Sequence, residues 1–135
     1  MKTSLKKSQT PAPLILLVQN SALGRPPLSR ALLQQGFRIA IARGVEEARE
    51  MLDDIRFIES EIDAIVVDYK LPDGWGSSIV NDISKHHPGV QTLMVTDEEN
   101  IALELWSRAK GIRLWQYSQA LGELQQWLEE LKPAA

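Results

Sequence analysis

The sequence predicts an α/β fold, a doubly wound five-stranded parallel sheet with five helices, on three observations. Short apolar runs alternate along the chain with longer segments of helical spacing. The runs are apolar at nearly every position, which is typical of strands buried on both faces of a sheet. Gly36 and Gly111 follow helical segments, where glycine suits a left-handed stop. This alternation implies right-handed crossovers and a helical layer on each face of the sheet.

The individual elements follow from the same two periodicities. β-Branched or aliphatic runs predict five strands, at Leu14–Val18, Arg38–Ile41, Ala64–Val67, Thr92–Val95 and Ile112–Trp115. Helical spacing predicts five helices, at Leu28–Gln35, Val45 to about Ile55, Ser77–Lys85, Glu98–Ala109 and Leu121–Leu131. Asp97 precedes an acidic helical start, so we interpret it as the N-cap of the fourth helix.

Composition limits the kinds of function that the chain can have. With 135 residues, 44% of them hydrophobic, the chain is long enough for one domain with a real core. A net charge of −3 and a pI near 5.4 provide no basic surface, so we expect no direct nucleic-acid binding. The absence of cysteine excludes disulfides, thiolate chemistry and cysteine metal sites. No apolar segment is long enough to cross a bilayer, and we expect a cytoplasmic protein without membrane contact.

The chain divides into three parts by composition. Residues 1–13 are rich in Lys, Ser, Thr and Pro and are expected to form a disordered leader. Residues 14–132 carry the alternating pattern and are expected to form the folded domain. Residues 133–135 form a C-terminal tail or the start of a linker.

A candidate site lies where the third apolar run stops. Asp68 directly follows Ala64–Val67 and precedes a turn-rich segment, Tyr69–Gly76. The first apolar run closes with two neutral residues, Gln19 and Asn20. In doubly wound sheets, ligands bind at the carboxyl ends of strands where the strand order reverses. We therefore expect Gln19, Asn20 and Asp68 to share one pocket.

Five segments of the chain resemble, in sequence and spacing, the receiver domains of bacterial two-component response regulators. The resemblance covers about residues 14–131 and implies the receiver type of flavodoxin-like fold and a role in phosphorelay signal transduction. The segments that carry it are Leu16–Val18 before Gln19 and Asn20, Gly36–Ala42 with Gly44, Glu47 and Ala48, Asp68–Gly76, Leu93–Thr96 and Gly111–Trp115.

The resemblance implies a role for Asp68 and a defect beside it. In the family, the aspartate that Asp68 matches attacks a phosphodonor and becomes an aspartyl phosphate. Magnesium bridges that carboxylate, an acidic pair and the incoming phosphoryl oxygens. Gln19 and Asn20 stand at the positions of the acidic pair. Because amides carry no formal charge, we expect magnesium affinity to fall sharply and no metal to be held.

Three further positions are implied by the resemblance. Thr96 matches the hydroxyl that engages the phosphoryl group, and Trp115 matches the aromatic residue that reports the switch. Ser118 stands where the family has a conserved lysine, so the cation that pairs with phosphate is missing. The loss of both charges predicts a degenerate pseudo-receiver without a cofactor.

Three functions remain open on the sequence. We expect a regulatory protein-interaction module, not an enzyme, without Mg²⁺-dependent phosphorylation. The alternative is an inefficient phosphoacceptor, phosphorylated on Asp68 by a histidine kinase with the help of Thr96, Asp97 and a loosely held Mg²⁺. A flavin or nucleotide binder of the same architecture is the third, although no phosphate loop follows the first strand.

A candidate interaction face involves the last two helices and the fifth strand. The resemblance suggests this face for a kinase, an effector domain or a second copy of the chain. Leu103 and Trp106 offer apolar groups on the fourth helix. Trp127 lies at the border of an apolar stripe on the last helix, formed by Leu121, Leu124, Leu128 and Leu131. Ordinary packing of both tryptophan rings against adjacent helices explains the same pattern equally well.

Overall fold

The computed structural model describes residues 12–21, 28–54, 62–87 and 89–131, except the side chains of residues 120, 121, 124, 125, 128 and 131. The strands are β1 Leu14–Val18, β2 Arg38–Ala42, β3 Ile62–Asp68, β4 Lys70–Leu71, β5 Gly74–Trp75, β6 Gln91–Thr96 and β7 Arg113–Gln116. The helices are α1 Leu28–Gln34, α2 Val45–Asp53, α3 Gly76–His86, α4 Ile101–Lys110 and α5 Tyr117–Leu131.

The predicted five-stranded parallel sheet is confirmed. Its strand order is β2-β1-β3-β6-β7, and all four neighbouring pairs are parallel. The order reverses at β1, so β1 and β3 lie side by side with their carboxyl ends at the same edge. The sequence did not predict the small antiparallel pair of β4 and β5, which directly follows Asp68.

Two apolar clusters cover the two faces of the sheet, because successive strand residues point to opposite sides. One cluster joins Leu16, Val18, Ile65, Val67 and Met94 to residues of α2, α3 and α4. The other joins Ile15, Leu17, Val66, Leu93 and Val95 to residues of α1 and α5. The continuous apolar runs of β1 and β3 are thus explained by burial on both faces.

The predicted left-handed stops are confirmed at Gly36 and Gly111, whose φ angles are 90° and 73°. The predicted start of the fourth helix was wrong. Helix α4 begins at Ile101, and its N-cap is Asn100, whose Oδ1 accepts a hydrogen bond of 3.0 Å from the N–H of Leu103. Asp97 therefore does not cap this helix, because the chain between Thr96 and Asn100 forms a loop at the sheet edge.

Several predictions fall on residues outside the described ranges. They are the leader at residues 1–11, the end of the second predicted helix at Ile55, and the tail at residues 133–135. The apolar stripe on α5 also lies outside, because the side chains of its four leucines are not described. In the described part of the chain, no helix has both the length and the apolar character that crossing a membrane requires.

Candidate functional site

Asp68 is the last residue of β3, at the carboxyl edge of the sheet, and only 4% of its surface is exposed. One carboxylate oxygen, Oδ2, accepts a hydrogen bond of 2.7 Å from the backbone N–H of Asn20. The predicted neighbourhood of Asn20 and Asp68 is therefore present, and it arises from the direct pairing of β1 with β3. Gln19 adjoins them through the backbone, and its own N–H donates to the carbonyl of Ala42 on β2.

The side chain of Asn20 makes a second link across the same edge. Its Nδ2 donates a hydrogen bond of 3.1 Å to the backbone carbonyl of Lys70, the first residue of β4. Asn20 thus donates to two oxygens, through its backbone to Asp68 at the end of β3 and through its side chain to Lys70 at the start of β4. An ionised aspartate at this position would offer only acceptor oxygens, so it would lack this side-chain donor.

Thr96 ends β6 beside Asp68, because the register pairs Asp68 with Val95. Its residue is 4% exposed, and its hydroxyl makes two long contacts of 3.4 Å with the backbone of Glu98. The Glu98 carboxylate in turn forms an ion pair of 3.2 Å with the Lys70 ammonium. Lys70 and Glu98 therefore connect the loops after β3 and β6 across the edge where Asp68 lies.

Gly76, the first residue of α3, packs directly on the backbone of Asp68. A Cβ at this position would lie 2.2 Å from the Asp68 carbonyl oxygen and 3.0 Å from a methyl group of Val67. The Gly76 N–H also donates a hydrogen bond of 2.7 Å to the Tyr69 carbonyl. Glycine is required at this position because a side chain would collide with the Asp68 backbone.

Asp73 ties the loop after Asp68 to the start of α2. Its two carboxylate oxygens accept hydrogen bonds of 2.7 Å and 3.0 Å from the N–H groups of Val45 and Glu46. These bonds, first that from Glu46 and then that from Val45, lower the pKa of Asp73 below its usual value because they favour the ionised form. Asp73 therefore caps a helix from a distant loop, and the sequence analysis did not identify this role.

Trp115 and Thr96 lie on opposite faces of the sheet. The register pairs Trp115 with Val95 and Gln116 with Thr96. The Trp115 ring packs with the cluster of α1 and α5, where it meets Trp127 edge to face at a centroid distance of 6.4 Å. The side chains that share a cleft of about 190 Å³ with Thr96 include Leu114, Gln116 and Gln119. The aromatic ring is thus separated from the hydroxyl whose movement it was expected to report.

Ser118 is exposed at the start of α5. Ser118 is small and neutral, whereas the resemblance implies a lysine at this position. Lys70, on a different strand, brings a cation to this edge. Sequence analysis passed over Lys70 and Glu98 because neither matches a motif. A basic residue two positions after the candidate acid was nevertheless visible in the sequence.

Two of the three residues expected on the interaction face, Leu103 and Trp127, are buried. Trp127 is 1% exposed and Leu103 is 6% exposed, and both belong to the apolar clusters. Trp106 is partly buried against the cluster of α2, α3 and α4. Burial favours ordinary packing of the two tryptophan rings, because Trp127 lies in the cluster of α1 and α5 and Trp106 packs against the other cluster. The large apolar side chains that α4 does expose are Ile101, at 74%, and Leu105, at 59%.

The donor set at this edge fits a tightly bound magnesium ion poorly. Among the described residues, no group of three or more His, Cys, Asp or Glu side chains is arranged to hold a metal. The Asp68 carboxylate and the Lys70 carbonyl are hard oxygen ligands, but both accept hydrogen bonds from Asn20. Among the oxygens that contact Asn20, only the Asp68 carboxylate carries a charge that would offset the cost of removing water from the ion.

Comparison with known proteins agrees with this architecture. Residues 15–113 match the family described as "Response regulator receiver domain". This segment is most of the chain, so the protein belongs to the receiver domain family of response regulators. No curated protein matches the chain.

Solved structures of other receiver domains are similar to this chain. The non-phosphorylated HemR receiver domain from Leptospira biflexa is 25% identical with a TM-score of 0.73, and the match covers 91% of this chain and 99% of that one. A CheY-like receiver domain protein from Methanospirillum hungatei is 20% identical with a TM-score of 0.70, over 89% and 96% of the chains. The beryllofluoride-activated NtrC4 receiver domain dimer is 18% identical with a TM-score of 0.72, over 88% and 95%.

These findings define the class of protein. The chain is a receiver domain of signal transduction with the doubly wound, flavodoxin-like fold of CheY-like proteins. Receiver domains act through protein partners such as kinases and effectors, and they can dimerise.

Proposed function

We propose that this receiver domain is a regulatory protein-interaction module whose output is set by partner binding, without Mg²⁺-dependent phosphorylation of Asp68. In this proposal the domain is not an enzyme, needs no cofactor and works in the cytoplasm. The observation that supports it most directly is the contact of Asn20 with Asp68 and Lys70, because the place of a metal-binding acid is taken by a hydrogen-bond donor.

The electrostatics of the edge support the same proposal. A carboxylate attacking a phosphoryl group brings two anions together, and a divalent cation normally offsets their repulsion. Gln19, Asn20 and Ser118 contribute no charge to this task. Lys70 is positively charged, but it is already paired with Glu98, and both side chains are about half exposed, at 45% and 53%. An exposed ion pair is screened by water and replaces a bound divalent ion poorly.

The separation of Thr96 from Trp115 supports the proposal that phosphorylation does not switch the conformation of this domain. A phosphorylation switch requires that phosphate stabilise one of two conformations. In this receiver domain the Thr96 hydroxyl contacts the backbone of Glu98, and the Trp115 ring packs against Trp127 on the other face. A pull on Thr96 therefore has no direct path to the Trp115 ring.

The alternative function, a slow phosphoacceptor, is favoured by one observation. Asp68 and Thr96 end adjacent strands, and Lys70 brings an ammonium group to the same edge. In this alternative a histidine kinase or a small phosphodonor phosphorylates Asp68, and Lys70 exchanges Glu98 for the phosphate. A phosphoryl transfer assay on the full chain distinguishes the two functions.

The assay incubates the full chain with acetyl phosphate and MgCl₂ and measures the intact mass. We expect no mass gain on the unchanged protein beyond that seen on Asp68→Asn. Asp73→Asn serves as a matched control, because Asp73 is an exposed carboxylate that caps α2. A gain of one phosphoryl group that Asp68→Asn abolishes and Asp73→Asn retains would overturn the proposed function in favour of the alternative.

Partner binding in this proposal uses the outward side of α4. Ile101 and Leu105 lie four residues apart, so they share one side of the helix, and both are exposed. Because neither residue supports the core, Leu105→Asp should leave the unfolding midpoint nearly unchanged. Light scattering and binding to a candidate partner then test the surface. Unchanged oligomer mass and unchanged partner affinity would exclude this side of α4.

A further inference from the structure

Two oxygen acceptors, one at the end of β3 and one at the start of β4, accept hydrogen bonds from a single residue of the loop after β1. Asp68 Oδ2 accepts from the Asn20 backbone N–H at 2.7 Å, and the Lys70 carbonyl accepts from Asn20 Nδ2 at 3.1 Å. A carboxylate and a backbone carbonyl that approach the same point are typical ligands of a hard cation. In this protein the positive partner at that point is a pair of N–H groups.

The orientation of the Asn20 amide follows from this arrangement. Its nitrogen faces the Lys70 carbonyl, because an amide oxygen there would place two acceptors against each other. Asp and Glu cannot make this contact when ionised, since a carboxylate has no hydrogen to donate. Asn20 is therefore not only a residue without charge. Its side chain also makes a contact that an ionised acid could not make.

We propose that the Asn20 side-chain amide is an internal substitute for a divalent cation. It holds the start of β4 at Lys70 against the end of β1, so that the loops around Asp68 keep one arrangement without an ion. This inference deepens the proposed function and rests on it, because it explains how the site stays ordered when magnesium does not bind. The short hairpin of β4 and β5 is the element that the amide positions.

The substitution Asn20→Asp reverses this arrangement. It removes the donor to the Lys70 carbonyl and places a second carboxylate beside Asp68. Without an ion the two carboxylates repel each other and the Lys70 carbonyl loses its partner, which destabilises the edge. With an ion, the two carboxylates and the Lys70 carbonyl provide three hard oxygen ligands. The variant should therefore depend on a divalent cation where the unchanged protein does not.

The test measures thermal unfolding of the full chain in EDTA and in increasing MgCl₂. We expect Asn20→Asp to unfold at a lower temperature than the unchanged chain in EDTA and to recover as magnesium is added. Its apparent dissociation constant for magnesium should be at least about tenfold lower than that of the unchanged chain, because a charged ligand has been added. Ser21→Asp is the matched control, since it adds the same charge one residue further along at an exposed position and keeps the Asn20 amide.

The controls separate a cation site from a general effect of charge. A magnesium response of Asn20→Asp equal to that of Ser21→Asp or of the unchanged chain would overturn the inference. If Asn20→Asp does not fold at any magnesium concentration, Asn20→Ala decides, because it removes the donor without adding charge. An Asn20→Ala unfolding midpoint equal to that of the unchanged chain would then refute the role of the amide, and a lower one would support it.

Fluorescence of Trp75 provides an independent readout of the hairpin. Trp75 ends β5, is 52% exposed and lies 4.9 Å from the Tyr69 ring between centroids. Loss of the link to Lys70 in Asn20→Ala should change the indole emission, and magnesium should not restore it. In Asn20→Asp, magnesium should restore it. Failure of this inference is distinguishable from failure of the proposed function, which the phosphodonor assay tests on the unchanged chain.

Discussion

The interior of the sheet and its carboxyl edge are specified in different ways. In the interior, Leu16, Val18, Ile65 and Val67 are fully buried, and many apolar side chains of similar size satisfy the same requirement. At the edge, the arrangement depends on single polar atoms, such as Asn20 Nδ2 and Asp68 Oδ2. Receiver chains of low identity therefore share the fold of this chain.

This contrast teaches how such a site changes without loss of the fold. Replacing a strand residue of the interior leaves a cavity or a clash, which costs several kcal/mol. Replacing an acid at the edge by an amide keeps the size of the side chain and adds a donor, which Asn20 uses. The interior should therefore respond strongly to truncation, and the edge should respond to charge, pH and ions.

The largest effect is expected for Trp127→Ala, which probes the interior. The ring is 1% exposed and meets Trp115 edge to face, so its removal should lower the free energy of unfolding by about 3–5 kcal/mol. Chemical denaturation measures this loss. Trp75→Ala is the control at the edge, since Trp75 is half exposed, and it should cost much less. Equal losses for the two variants would show that Trp127 does not contribute to the core as a buried residue.

A smaller loss is expected for Gly76→Ala, at the boundary between the two regions. The new methyl group would overlap the Asp68 carbonyl oxygen, so α3 must shift away from β3. Overpacking of this kind costs about 1–3 kcal/mol, measurable by denaturation. Gly89→Ala is a matched control, because among the described residues no heavy atom beyond its chain neighbours lies within 4 Å of the added Cβ. Equal stability of Gly76→Ala and Gly89→Ala would show that the contact with Asp68 is not tight.

The effect of Asp73→Asn should depend on pH. Because the pKa of Asp73 is lowered in the folded state, its ionised form contributes stability above the unfolded pKa of about 3.8. That contribution is lost as the pH falls through the folded pKa. The stability difference between the unchanged chain and Asp73→Asn should therefore be full at neutral pH and disappear in acid. A difference that stays constant from neutral pH to below the folded pKa would contradict helix capping by the carboxylate.

The smallest effect is expected for Lys70→Met, which removes the ion pair with Glu98. Both side chains are about half exposed, so the pair should contribute at most about 1 kcal/mol, and less at high salt. Denaturation at low and high salt measures this contribution. A loss well above that of Gly76→Ala would show that the ion pair holds the edge together, and the role given to Asn20 would then need revision.

The sequence was sufficient to predict the fold because the spacing of buried apolar residues distinguishes strands from helices. Apolar runs located β1, β3 and β6, and the end of the third run placed Asp68 at the edge beside Asn20. The N-cap of α4 was missed because three acids precede Asn100, and acids suit a helix start equally well. Trp127 was open to two interpretations because its burial depends on how α5 rotates against the sheet.

Contacts between distant segments could not be predicted from the sequence, for a different reason. Asp73 caps a helix that begins 28 positions earlier, and Lys70 meets Glu98 through two separate loops. Neither contact has a periodicity or a motif, since each depends on the final positions of loops. The donor role of Asn20 was hidden in the same way, because the sequence showed only that this residue is neutral.

Calorimetric titration of the unchanged chain with MgCl₂ measures whether Asp68 and its neighbours hold a divalent ion. We expect no saturable heat of binding at Asp68 up to millimolar magnesium, because one carboxylate and the neutral side chains of Gln19 and Asn20 do not hold the ion. A saturable heat with a dissociation constant in the millimolar range or tighter, lost in Asp68→Asn, would contradict it.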